Sequence, residues 1–203
     1  LRPPISQDHN RVLTQLTEPL QTMRLWKKHP AMRPYRDLLA QCPADRFPLP
    51  VDLQKLLPAG CRNAQGRTIE FVDSRTLPGL TGDGAYEREI AGSGRVSTRP
   101  GSLHDLCNAL VWARFPKLKA TLNQGHMDAL PHSMPGRRGP MRDALTLFDE
   151  CGMAVVCADE APLRALAKHD WQALFGQRGE YWPASVHVWM IGHGNLEALA
   201  EPY

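Results

Sequence analysis

The chain has 203 residues, enough for one domain with a sizeable core. Its 42% hydrophobic and 22% charged content is that of an ordinary globular protein, and 24 basic against 21 acidic residues leave only +3. That balance excludes a nucleic-acid binder driven by overall charge, since only a concentrated patch would serve.

No apolar run is long enough to span a bilayer, and no signal-peptide pattern is present. A start at Leu1 is nevertheless compatible with a removed leader. Cysteines at 42, 61, 107, 151 and 157 include no C-x-x-C pair. An odd number without framework spacing points to reduced thiols and a cytoplasmic protein. Eighteen prolines and 16 glycines predict many short elements joined by turns.

In chain order, Val12, Leu13, Leu16, Leu20, Met23 and Trp26 keep near-helical spacing over 9–29, with Pro19 expected to kink the helix. Short helices are expected at 34–41 and 51–57. "RTIEFVD" (67–73) alternates and is rich in β-formers, so it reads as a strand. "AYEREIAGSG" reads as a short helix stopped by its glycines. A helix follows over 102–115, and another begins at Pro116.

"DALTLFDECGMAVVCAD" (143–159) reads as a β-hairpin turning at Cys151-Gly152, with strands near 144–149 and 153–158. Helices are expected at 160–169 and 169–176, then a strand at 185–192 and a helix beginning in "NLEALA". Helices outnumber strands without regular interleaving. The expected class is α+β: a mostly helical single domain, 1–203, with a small, largely antiparallel sheet. Residues 1–60 would form a helical arm packed on the core.

Within 102–115, His104 and Asn108 are four apart and share a helical face with Trp112 and Phe115. If buried, both polar groups need partners: a metal, a substrate or other side chains. "S-L-H-D" also fits a capping box, which would make Asp105 only the partner of the Ser102 cap. Cys107, three after His104, invites a thiolate–imidazole reading, but no oxyanion site accompanies it.

Asp149 and Glu150, as neighbours on a strand, would point to opposite faces, so only one could join His104. "IGHGNLE" delivers His193 to the end of an apolar strand, with Glu197 one turn along if a helix starts there. His169-Asp170 reads as structural, Asp170 capping the next helix. Arg137, Arg138 and Arg142 in "SMPGRRGPMRD", with Arg95 and Arg99, could bind a phosphate or carboxylate or simply be solvated. No interleaved aromatics suggest base stacking.

The blocks "AYEREIAGSGRVSTR", "HDLCNALVWARFPKLKATLN", "GRRGPMRDALTLFDECG", "HDWQALF" and "GHGNLE", in that order over about 85–200, resemble the bacterial family catalogued as domain of unknown function 3025. The resemblance places Tyr86, Glu87, Arg99, His104, Asp105, Asn108, Asp149, Glu150, His169 and His193 in signature blocks, without implying a reaction. It also implies aromatics where Leu103 and Cys107 stand, which argues against a family-wide Cys107 nucleophile. It further implies a longer alanine-rich final helix and a chain running past Tyr203.

Together these residues suit a divalent metal (zinc, iron or manganese) held by His104, Asp149 and His193. The expected function is a metal-dependent hydrolase. Asp105 or Glu150 would be general base, Asn108 would orient substrate, and Arg99 and Arg137 would hold a small anionic substrate. Two alternatives stand beside it. One is a non-catalytic ligand- or nucleic-acid-binding module using the arginine loop, with nucleic acid the less favoured partner. The other is a metal-free acid–base enzyme using His104 with Asp149.

Overall fold

The computed structural model describes residues 26–77, 79–132, 139–176 and 186–200. After a 3₁₀ turn at Pro30–Tyr35 come α1 (Arg36–Leu39), α2 (Pro50–Gln54), β1 (Glu70–Asp73), α3 (Ala85–Ser93) and β2 (Arg95–Thr98). These lead into α4 (Leu103–Arg114), α5 (Pro116–Ala129) and α6 (Pro140–Cys151). Then follow β3 (Met153–Cys157), α7 (Glu160–Ala167), α8 (Trp171–Phe175), β4 (Val186–Met190) and α9 (His193–Ala198). The class is α+β. The expected 9–29 helix lies almost wholly outside the described residues, as do Arg137 and Arg138.

Helix α4 is the spine of the core. Leu106, Cys107, Ala109, Leu110, Val111 and Trp112 are each at most 1% exposed, because a helix apolar on nearly every side must be enclosed. Met32, Tyr35, Leu38, Leu53, Ile69, Val96 and Leu196 join the same cluster. The Tyr35 hydroxyl donates to the Met190 carbonyl at 2.6 Å, tying the early chain to β4.

The strands form two separate pairs rather than one small sheet. β1 and β2 are parallel, with Glu70 opposite Arg95 and Asp73 opposite Thr98, and α3 supplies the crossover that parallel neighbours need. Strand "RVST" was not expected. β3 and β4 are antiparallel, with Met153 opposite Met190 and Cys157 opposite Val186.

The hairpin expected over 143–159 is corrected. Residues 140–151 are helical, and β3 pairs with distant β4 instead of with 144–149. Met141, Leu145 and Phe148 stand at i, i+4 and i+7, a helical period, and Pro140 sits in the first turn, where its missing N–H costs nothing. Cys151-Gly152 ends a helix, and the Gly152 N–H bonds back to Phe148.

All five cysteines are free. Cys107 is wholly enclosed, and burial pushes its thiol well above the ordinary range, which removes it as a nucleophile. Among the described residues no helix is long and apolar enough to cross a membrane.

Candidate metal centre

Three helices meet at one point. Ser102 caps α4 by accepting the Asp105 N–H, which sets His104 in the first turn. The last turn of α6 brings Asp149 and Glu150, and α9 begins on His193. The glycines around His193 let α9 close on α6. A Cβ at Gly194 would collide with Glu150 Oε2, and one at Gly192 would come within 2.6 Å of Cys151 Cα.

His104 Nε2 and His193 Nε2 are 3.0 Å apart. Glu150 Oε1 lies 3.4 Å from His193 Nε2 and 3.9 Å from His104 Nε2. A triangle with those edges has a point about 2.0 Å from every corner, the length of a zinc–nitrogen or zinc–oxygen bond. His104, Glu150 and His193 therefore have the geometry to hold a metal ion.

The far nitrogens of both rings face carboxylates. His104 Nδ1 is 2.8 Å from Glu197 Oε2, one turn along α9 from His193. His193 Nδ1 is 3.7 Å from Asp149 Oδ2. A carboxylate at hydrogen-bond distance, as Glu197 is, holds a ligating imidazole with its outer nitrogen protonated and its inner lone pair turned to the ion, whereas Asp149 stands too far from His193 Nδ1 to bond it directly. Asp149 is itself held by Lys119 Nζ, at 2.6 and 2.8 Å from its two oxygens. Lys119 is 5% exposed and lies over the Trp112 ring.

The two imidazoles titrate in opposite directions. The bond to Glu197, helped by the Glu150 charge, raises His104 above the ordinary histidine value against the pull of burial. Burial, then the Lys119 charge, holds His193 down to about 4. Without a metal, a protonated His104 donates one N–H to Glu197 and the other to the Nε2 lone pair of neutral His193. A cation bound between His104, Glu150 and His193 would take the place of that shared proton. Burial also raises Glu150 above the usual carboxylate range.

The group borders a cavity of about 520 Å³. Asn108 lines it and donates to the Tyr86 hydroxyl at 3.0 Å. Asp105 lines it too, but both its oxygens are engaged by Arg99 through Nε, Nη2 and the backbone N–H. His126, buried and kept below the ordinary histidine value by that burial, lies on the same wall, as does Arg142, paired with Asp83.

The structure thus gathers His104, His193, Asn108, Asp105, Arg99, Asp149 and Glu150 around one cavity. At the third corner of the triangle stands Glu150, where the sequence put Asp149; the Asp149 carboxylate is turned to Lys119 and His193. Asp105 serves Arg99 and the start of α4, and with Glu150 beside the histidines neither carboxylate stands free as the expected base. Arg137 lies outside the described residues. Sequence reasoning missed Lys119 and gave His126 no role, because a lysine on a helix reads as solvated and a lone histidine carries no spacing signal.

These features define a helix-rich α+β protein with two histidines and one glutamate converging on the wall of a polar cavity. The family model described as Protein of unknown function (DUF3025) matches residues 69–203, and the chain belongs to that family. No curated protein and no solved structure matches the chain.

Proposed function

We propose that the protein is a hydrolase dependent on a divalent metal (zinc, iron or manganese) and acting on a small anionic substrate. The observation that carries this reading is the triangle of His104, His193 and Glu150, whose equidistant point stands one metal–ligand bond from each atom and on the wall of a cavity. Two histidines and a glutamate are a known zinc-hydrolase ligand set that leaves a position open for water or substrate. A metal held there would supply Lewis-acid chemistry, lowering the pKa of a water towards 7 and polarising a substrate oxygen.

The chain's own residues supply the remainder. Glu197 orients the His104 imidazole through a hydrogen bond, and the Asp149 charge stands 3.7 Å behind the outer nitrogen of His193. Neutral His126, on the same cavity wall, is the group suited to accept or return a proton. Arg99 keeps Nη1 donors that Asp105 does not use, and these suit an anionic substrate group.

The test begins with metal analysis of protein purified without chelators or an affinity tag that binds metal. It continues with zinc, manganese and iron(II) titrations and an ester, amide and phosphoester panel. About one metal per chain, with turnover lost in Glu150→Gln and His193→Ala, is the expected result. A wild-type protein that neither carries nor takes up any of these ions refutes the proposal.

A further inference from the structure

We infer that the cavity takes a hydroxyl-rich small anion, a sugar or polyol bearing one phosphate or carboxylate; this rests on reading His104, Glu150 and His193 as a metal centre. Among the described residues, no aliphatic side chain lines the cavity. Ligand pockets are usually lined mainly by apolar groups. A hydrocarbon chain placed here would strip water from carboxylates and guanidinium groups without satisfying their hydrogen bonds.

The wall offers groups that both give and accept hydrogen bonds. Ser74, Ser97 and Thr146 line the cavity, and none of their hydroxyls makes a side-chain hydrogen bond among the described residues. Tyr86 accepts from Asn108, so its own proton is left to donate. Three hydroxyls and a phenol match a ligand whose groups have the same double character, which is a run of hydroxyls. Glu87 and Asp149, on the same wall, supply acceptors for them.

The anionic group is matched by Arg99. Its Nε and Nη2 are fixed on Asp105, so the guanidinium plane is set before any ligand arrives, while Nη1 remains for the ligand. Size agrees. At about 30 Å³ per liquid water, 520 Å³ holds roughly seventeen waters, so a ligand of about that many heavy atoms. A pentose or hexose carrying one phosphate has that bulk.

The experiment is calorimetric titration of the metal-loaded full chain with ribose 5-phosphate, glucuronate, unsubstituted glucose, inorganic phosphate and butyrate. One or both of the first two should bind with Kd below 1 mM and at least tenfold more tightly than the last three. The two arms decide between phosphate and carboxylate. Ser97→Ala, Thr146→Val and Arg99→Gln should each weaken that binding at least threefold while leaving zinc affinity unchanged. Butyrate binding as tightly as the sugar anions, inorganic phosphate matching ribose 5-phosphate, or no sugar anion binding to protein that does hold metal would each overturn this inference. Failure to hold metal at all would instead overturn the proposed function.

Discussion

Replacing Lys119 with methionine tests the buried charge pair behind His193. The substitution keeps the chain length and the packing on Trp112 but leaves Asp149 without its partner. Breaking a fully buried pair costs about 3–5 kcal/mol. Lys119 is 6% exposed in its side chain but Asp149 is 19% exposed and borders the cavity, so the expected cost falls below that range, at about 2–3 kcal/mol. For a chain of this size that is a fall in Tm of about 6–9 °C.

The same substitution has a pH signature. His193 binds a proton near 6.5 when unfolded and near 4 when folded, so the stability from its neutral form is present above 6.5 and lost as pH falls from 6.5 through 4. Lys119 is one of the two largest causes of that depression. Without it the folded value rises, the acid loss shrinks, and the gap in Tm between wild type and variant narrows at pH 5 relative to pH 8. Thermal melts of the metal-free proteins at both pH values measure this. Adding Asp149→Leu should recover most of the loss, since removing both partners leaves no stranded charge. An unchanged Tm in the single variant, or a double variant as unstable as the sum of two singles, would refute the reasoning.

Asp149→Asn and Glu197→Gln, which keep the shape of the groups behind the imidazoles, should weaken zinc binding about 10–100-fold. Calorimetry of the folded variants measures this, and unchanged affinity would remove both carboxylates from the site. Metal affinity should rise with pH by about a factor of ten per unit, then level off. Below the raised value of His104 one proton must leave for each ion bound, and above it none; zinc titrations from pH 6 to 9 in buffers of different ionisation enthalpy would count it. Gly192→Ala, at a backbone conformation alanine accepts, should cost at least tenfold in zinc affinity, because its Cβ would push α9 off Cys151. Cobalt(II) absorption would report the altered ligand geometry.

Much of this centre was legible before any coordinates. The Ser102 cap, the apolar run of α4 and the four-residue step placed His104 and Asn108 on one face of a helix, and "IGHGNLE" put His193 at a strand's end, with Glu197 one turn along on the condition, met in the structure, that a helix starts at 193. The choice between Asp149 and Glu150 was not legible, because it turned on a secondary structure read wrongly. On a strand, adjacent side chains point to opposite faces, so only one could have joined the histidines. On the last turn of a helix they stand about 100° apart, and both border the site: Glu150 at the inner nitrogens, Asp149 behind an outer one. Lys119 stayed hidden for a different reason. "PKLKATL" alternates charge and hydrocarbon like a surface helix, and only the fold shows which lysine is enclosed under Trp112 and Asp149.

Helix α9 is six residues long, too short to persist by itself in water. It is held by Leu196 in the core, by its glycine contacts with α6, and by the Trp26 indole, which donates to the Leu196 carbonyl at 2.7 Å. Trp26 is thus a latch, thrown across 170 positions of chain, on the helix that carries His193. Among the described residues of the early chain the indole alone bonds directly to that helix's backbone, so the share of the fluorescence lost in Trp26→Phe is a built-in gauge of whether the histidine wall stands closed.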